Sequence, residues 1–493
     1  MVTANDLSAI MPFLVTACGG LVIILLDALS KPESSRRFLG SFTLVFLGAM
    51  ILVSLLGVGR SPYPAFYNLV VADDFSRFLT VLFGIAAGLA TLIAMGRLPD
   101  QADGSAARGE FYALLLFSTG GATLLVQAAD LVALFIGLET LSIPAYIMAA
   151  SLRRDPRSAE AGLKYFILGA FATGFLVYGI ALLYGAAGST QFSAIAQATL
   201  ATPWTQNPLL IIGSVLVVVG LAFKIAAVPF HMWAPDVYQG SPTPATAFFA
   251  TGVKAAAFAA LLRFLFMVLP ELRIGTAGLE AAGWFTLLQG LAIATMTVAN
   301  LVALVQKDVK RILAYSSIAH AGYLIIGLLC TQEGATAILF YLLAYTFMTA
   351  GAFALIAYFE NKDGGTSLDD YVGVGRRHAV AAVALSIFLF SLAGIPPTAG
   401  FFGKFYLFKA AIDQGLIALT VIAVLNSLVS AYYYLRIMVA MFMQDETGSS
   451  KPKVTPSVSI AIAVGICLLF VLAIGLYPSP YLNAARASIA ALF

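Results

Sequence analysis

Stretches of about twenty apolar residues, the length that crosses a bilayer as a helix, follow one another along almost the whole chain. They fall at approximately 9–29, 38–57, 74–95, 111–128, 130–152, 159–186, 209–237, 243–269, 281–305, 308–330, 334–359, 379–410, 415–443 and 457–477. In hydrocarbon the backbone must satisfy its own hydrogen bonds, so such runs form helices. Apolar residues make up 61% of the 493 and charged residues 10%, whereas soluble domains carry roughly a quarter charged. One soluble core has no room for that much apolar surface. The expected fold is an all-α polytopic membrane protein with about fourteen transmembrane helices. Gln127–Asp130 divides two spans that hydropathy alone would fuse. Met1–Asp6 carries no lysine or arginine, so the first span reads as a retained helix and not as a cleaved signal peptide.

Basic residues orient the bundle. With the N-terminus outside, the inner loops hold Lys31, Arg36, Arg37, Arg97, Arg108, Arg153, Arg154, Arg157, Lys307, Lys310 and Arg311, joined by Lys362, Arg376, Arg377, Lys451 and Lys453. The outer loops and ends hold only Arg60, Arg77, Arg273 and Arg486. The positive-inside rule favours this arrangement. An even number of spans then puts both termini on the outer side, which is the periplasm if the membrane is a bacterial inner membrane. The tail PYLNAARASIAALF either lies along that interface as an amphipathic turn or two, or frays.

Two spans contain helix breakers at matching places. Lys224–Pro229 lies in the fourth of spans four to eight, and Pro396–Lys404 lies in the fourth of spans nine to thirteen. Five is odd, so a second five-helix unit stands inverted relative to the first. Proline lacks an N–H and clashes with the preceding turn, so Pro229 frees the carbonyl of Ile225, and Pro396 and Pro397 free those of Leu392 and Ala393. Freed carbonyls survive at membrane depth only against protein or an internal polar cavity, and paired broken helices point to a transport site. The single membrane domain 1–493 thus divides into an N-terminal three-helix segment (1–110), a first five-helix repeat (111–269), a second, inverted repeat (281–443) and a last helix with its tail (457–493).

Four ionisable side chains lie inside these apolar runs. They are Glu139 in LVALFIGLETLSIPAY, Lys224 five residues before Pro229, Lys254 in TPATAFFATGVKAAAF, and Lys404 seven residues after Pro397. A charge at the bilayer centre costs about 2.5 kcal/mol or more, and such residues mark ion or proton paths. Lysine suits the task. Its amine in water holds a proton up to about pH 10.4, burial opposes the ammonium, and a nearby carboxylate restores it. Moving a carboxylate therefore loads and unloads the amine. Glu139 and Lys224 are suitable partners for such a switch; the other reading is a static buried ion pair that fixes helix packing.

Lys254, about three turns into its span, lies too deep to snorkel and reads as a relay between the two half-sites. His320, in YSSIAHAGY, takes the place in the second half that Glu139 takes in the first. Its imidazole either carries protons or packs in a hydrogen bond. His231, two residues beyond Pro229, reads as satisfying the broken backbone. Tyr315, Ser316 and Ser317 are placed to bond across helices. Lys164 reads as lining the path, and Lys409, Arg436 and Arg263 as anchors near an interface.

The stretch FKIAAVPFHMWAPDVYQGSPTPATAFFATGVKAAAF resembles the signature of the antiporter-like proton-translocating subunits of respiratory complex I. The resemblance runs from about span two to span fourteen. Within that family, IPPTAGFFGKFYLF is similar to the N branch of bacterial NADH:quinone oxidoreductase, whose mitochondrial counterpart is subunit 2. The M branch typically has glutamate where this chain has Lys404, and the L branch carries a long lateral helix after its last span. The resemblance implies that Glu139 and Lys224 form the input half, Lys254 the central relay and Lys404 the output site. A chain of water and polar residues along the midplane would couple them to neighbouring subunits.

Redox chemistry is expected elsewhere. No GxGxxG follows a strand, Cys18, Cys330 and Cys467 are far apart, and His231, His320 and His378 offer no haem pair. NADH, FMN, iron–sulfur clusters and quinone would belong to partner subunits or the assembled complex. The implied partners are other membrane subunits, including neighbouring antiporter-like ones, and lipid, with no nucleic acid. The expected function is proton translocation driven by quinone reduction. Rival readings are a subunit of a multisubunit cation/proton antiporter, a membrane subunit of a hydrogenase or formate-hydrogen lyase, and a structural scaffold.

Overall fold

The computed structural model describes residues 3–31, 36–57, 62–98, 109–201, 206–269, 283–360, 365–444 and 457–493. Arg60, Arg108, Arg273, Lys362, Lys451 and Lys453 of the charge pattern lie outside these residues. A short helix, α1 (Ala4–Ala9), precedes the first three spans, α2 (Met11–Leu29), α3 (Arg37–Leu56) and α4 (Asp74–Arg97). The next unit comprises α5 (Gly109–Gln127), α6 (Leu131–Ala149) and α7 (Pro156–Ala187), then a short lateral helix, α8 (Phe192–Ala201). It continues through the broken pair α9 (Pro208–Lys224) and α10 (Trp233–Gly240) to α11 (Thr243–Val268). Its counterpart comprises α12 (Trp284–Ala303), α13 (Val309–Leu328), α14 (Thr331–Phe359), the broken pair α15 (Ala379–Ala393) and α16 (Ala399–Asp413), and α17 (Ile417–Met443). The chain closes with α18 (Val458–Leu476) and α19 (Ser479–Ile489).

Among the described residues, twelve unbroken helices are long and apolar enough to cross a membrane. The two other expected spans are the broken pairs, whose halves have 17 and 8 residues in the first and 15 and 15 in the second. The fold is a polytopic helical bundle with two inverted five-helix repeats.

Hydrogen bonds show how the repeats correspond. Asp130 caps α6, accepts from Val132 N at 2.7 Å, and takes the Thr190 hydroxyl at 2.7 Å. Beside it, Leu131 N donates to Thr190 O at 2.9 Å. Asp308 caps α13 in the same way, accepting from Arg311 N at 3.0 Å and from Thr366 Oγ1 at 2.5 Å. Its neighbour Val309 N donates to Thr366 O at 2.8 Å. Each clasp ties the start of the second helix of a repeat to the loop after the third. An aspartate at an N-cap satisfies backbone N–H groups that the first turn leaves unpaired. From the start of α6 to the start of α13 the chain crosses five times, so the two clasps sit at opposite ends of the bundle.

Two features depart from expectation, and a third decides between the two readings of the tail. Tyr63–Ala65 and Val70–Ala72 pair as an antiparallel hairpin, turning through Phe66, Tyr67 and Asn68 with positive φ of 50°, 57° and 67°. The hairpin is tied down by Phe66 N, which donates to Asp6 Oδ1 at 3.2 Å, and by Ala129 N, which donates to Leu69 O at 3.0 Å. The tail forms α19, with Ala485 and Ile489 buried and Arg486 paired to Glu333 at 3.0 Å, so it is folded rather than frayed. Arg263 is not an interfacial anchor. It is 2% exposed and donates to both oxygens of Asp73 at 2.8 Å, joining α11 to the N-cap of α4.

Candidate functional site

The first helix break lies earlier than the proline alone predicts. Helix α9 stops at Lys224, Ala226 takes a positive φ of 57°, and the chain resumes as helix at Trp233. Val228–Pro229 is cis. Freed backbone groups find partners across the bundle: Trp233 Nε1 donates to Phe223 O at 2.9 Å, and Val228 N donates to Thr295 Oγ1 of α12 at 3.0 Å. His231, expected to satisfy the broken backbone, does not do so here: its buried Nδ1 has no hydrogen-bond partner among the described residues. At the second break Lys404 itself answers a freed carbonyl. Its Nζ donates to Ala393 O at 2.8 Å and to Ser427 Oγ at 2.8 Å. Lys224 precedes its break and Lys404 follows its own, so the two lysines are not symmetry mates.

All three membrane lysines are sealed from the surface, with exposures of 3% for Lys224, 2% for Lys254 and 5% for Lys404. Each is bound to neutral oxygens. Lys224 Nζ donates to Tyr146 Oη at 2.9 Å. Lys254 Nζ donates to Ser317 O at 2.5 Å and to Ser317 Oγ. A π-helical turn, Phe249–Val253, places Lys254 on α11, and such turns recur at functional sites. Among the described residues, no carboxylate lies within 4.0 Å of these three amines. Glu139 and Lys224 are therefore not an ion pair here. Glu139 Oε1 instead accepts from Thr173 Oγ1 of α7 at 2.8 Å.

In the second repeat, hydroxyls connect the ionisable groups. Tyr434 Oη bonds both Ser316 Oγ and His320 Nε2, the latter at 3.2 Å, while His320 Nδ1 bonds Tyr341 Oη. Tyr323 lies edge-on to His320 at 5.7 Å and beneath Lys404 Nζ at 5.3 Å. Asn300 Nδ2 donates to Tyr323 Oη and to Asn426 Oδ1, both at 3.2 Å, and Tyr433 donates to Asn300 Oδ1 at 2.9 Å. The clasp aspartates correct the equivalence drawn from sequence. Glu139 stands nine residues after Asp130, and nine after Asp308 comes Ser317, the partner of Lys254, not His320.

The remaining charges pair near the ends of the bundle. Lys164 does not line the interior: it is half-exposed and pairs with Glu160 and Asp236, each at 2.6 Å, while Arg311 of α13 holds the other oxygen of Asp236 at 2.5 Å. Glu360, at the end of α14, bonds Arg97 at 2.9 Å and Thr243 at 2.8 Å, with Lys310 4.0 Å away. Burial opposes its charge, but Lys310, Arg97 and Thr243 outweigh that and hold its carboxyl below the ordinary glutamate range. Lys409 pairs with Asp413 at 2.6 Å, and Arg436 donates to Leu304 O at 2.7 Å. Sequence reasoning passed over Tyr146, Thr173, Tyr341, Tyr434, Asn300 and Ser427. Hydroxyl and amide side chains are common in membrane helices, so none of them stands out before its partner is known.

Residues 128–430 match the family model described as NADH:quinone oxidoreductase/Mrp antiporter, TM. The NADH-quinone oxidoreductase subunit N 1 of Sorangium cellulosum (strain So ce56) is 44% identical over 503 residues, which cover 97% of each chain. A chain of respiratory complex I from Thermus thermophilus superposes with a TM-score of 0.79 at 36% identity, covering 97% of this chain and 99% of that one. A chain of the Mrp complex from Dietzia sp. DQ12-45-1b shares the fold, with a TM-score of 0.84 at 21% identity and coverage of 99% and 98%. The chain belongs to the NADH:quinone oxidoreductase/Mrp antiporter transmembrane family, among the membrane subunits of complex I.

Proposed function

We propose that this chain carries protons for a NADH:quinone oxidoreductase through Glu139, Lys224, Lys254, His320 and Lys404. One observation carries the reading: three deeply buried lysines are each held by neutral oxygens, and among the described residues no carboxylate lies within 4.0 Å of them. A buried ammonium without a counter-ion is costly, and its proton moves when a carboxylate approaches or retreats. Glu139, held apart from Lys224, is the carboxylate placed to do this. Ser317, Ser316, Tyr434 and Tyr323 join the later stations, with water filling the remaining steps. Pro229, Pro396 and Pro397 interrupt the helices and open backbone groups to the path. Electron transfer belongs to partner subunits, which would hold NADH, FMN, iron–sulfur clusters and quinone; neighbouring antiporter-like subunits would pass the coupling signal. Both termini lie on the periplasmic side of a bacterial inner membrane in this reading.

Purification of the native assembly in mild detergent tests the reading. Co-purifying flavin and iron–sulfur subunits with NADH:quinone activity are expected. Glu139→Gln, Lys224→Ala and Lys404→Ala should then stop proton pumping in membrane vesicles while the assembly persists. Sodium-dependent proton flux without NADH, from an assembly of small membrane proteins only, would move the chain to the cation/proton antiporter reading.

A further inference from the structure

Glu139 and Lys224 are each engaged elsewhere, and one helix arranges both engagements. Tyr146 lies seven residues after Glu139 on α6, two turns along the same face. Its hydroxyl accepts from Lys224, whose Nζ also stands 4.6 Å from the ring centroid. The space for that hydroxyl comes from α7, where a Cβ at Gly169 would lie 2.2 Å from it. One turn further along α7 is Thr173, which donates to Glu139. Helix α7 thus offers a gap that seats Tyr146 and a hydroxyl that holds Glu139. Glu139 and Lys224 thus sit against the same pair of helices, each engaged by a different hydroxyl and held apart.

We propose that Tyr146 and Thr173 are positioning residues that hold Lys224 and Glu139 in the separated state of a two-state pair. The ion pair forms only when Lys224 leaves the Tyr146 hydroxyl and Glu139 leaves the Thr173 hydroxyl. Each hydroxyl therefore sets how readily the pair closes. A hydrogen bond to a charged group shifts such a ratio by about tenfold. The proposal rests on the reading that Glu139 and Lys224 take part in proton transfer. Tyr165 supplies an internal comparison. It packs edge-on to Tyr146 at 4.7 Å and stacks on Trp233 at 4.4 Å, yet among the described residues its buried hydroxyl has no hydrogen-bond partner.

The test uses the assembled complex in native membrane vesicles and compares Tyr146→Phe, Thr173→Val, Thr173→Ser, Tyr165→Phe and Lys224→Ala. Protons moved per NADH oxidised, the pH profile of pumping and the amount of assembled chain are measured together. Tyr146→Phe and Thr173→Val should displace the pH of half-maximal pumping and lower the protons moved per NADH. Thr173→Ser should restore the parental profile, and Tyr165→Phe should keep it. Parental pumping and pH profile in Tyr146→Phe, or an equal loss in Tyr165→Phe, would overturn the proposal. Should Tyr146→Phe fail to assemble, Thr173→Val with its Thr173→Ser rescue decides alone: an unchanged profile refutes the proposal. Lys224→Ala separates the two levels, because normal pumping there sinks the underlying reading, whereas lost pumping beside a normal Tyr146→Phe sinks only the positioning role.

Discussion

Adding one methyl group at Gly121 should disable the chain, although Gly121 carries no chemistry. A Cβ there would lie 2.2 Å from Leu141 N and 2.5 Å from Thr140 C, both backbone atoms of α6. Backbone cannot rotate away as a flexible side chain can. Reaching an ordinary 3.4 Å contact from 2.2 Å separates α5 from α6 by about 1.2 Å. Gly137 makes the reciprocal approach, with a Cβ placed 2.6 Å from Leu125 N, so the crossing has little slack. Ser118 Oγ also donates to Leu141 O at 2.7 Å across this seam, and the bond would be lost. Overpacking costs about 1–3 kcal/mol, and a membrane hydrogen bond adds roughly 0.6 kcal/mol. Glu139 is next to Thr140 and moves with it. Displacements of about 1 Å in a positioned reacting group cost on the order of a hundredfold in rate. Gly121→Ala should therefore lower NADH-driven proton uptake by inverted vesicles at least tenfold, as followed by dye quenching, with turnover in the presence of a protonophore recorded in parallel. Gly290→Ala makes the same chemical change where nothing lies within 4 Å, and should behave like the parent. A Gly121→Ala chain that accumulates and pumps normally would refute the reasoning, because the helices would have absorbed the methyl group without moving Glu139.

Removing either partner of the buried Asp73–Arg263 pair leaves an uncompensated charge, which costs about 3–5 kcal/mol. Asp73→Asn and Arg263→Met should each lower the detergent-unfolding midpoint of the purified chain, and the double variant should recover most of the loss. Asp130→Ala and Asp308→Ala each remove a helix cap, at about 1 kcal/mol, together with a clasp. Hydrogen exchange should rise at 188–191 in the first and at 365–368 in the second, and at neither site in the other variant. Glu360 is held below its ordinary value of 4.5, so its contribution to stability is full above that pH. The contribution is lost as pH falls through and below 4.5. Acid unfolding of the parent should therefore steepen in that window, and Glu360→Gln should flatten it.

The spans, the two breaks and the buried lysines were all legible in the amino-acid order, because each is a local property. Run length decides whether a segment crosses a membrane, and a proline disrupts the turn before it wherever it occurs. A lysine in an apolar run signals function because hydrocarbon penalises it regardless of its neighbours. Partner choice is not local. Nothing in the run around Lys224 says that Tyr146, and not Glu139, accepts its hydrogen bond in this state, or that Thr173 holds the carboxylate. Arg263 looked like an interfacial anchor until α4 brought Asp73 against it. Ser317 became the counterpart of Glu139 only once the Asp130 and Asp308 clasps set the register of the repeats. Even the end of α9 was decided by Trp233 and Thr295, which take up the backbone groups that let the helix stop at Lys224. Apolar length and proline act within one helix, whereas a hydroxyl in a membrane bundle takes its meaning from whichever helix packs against it.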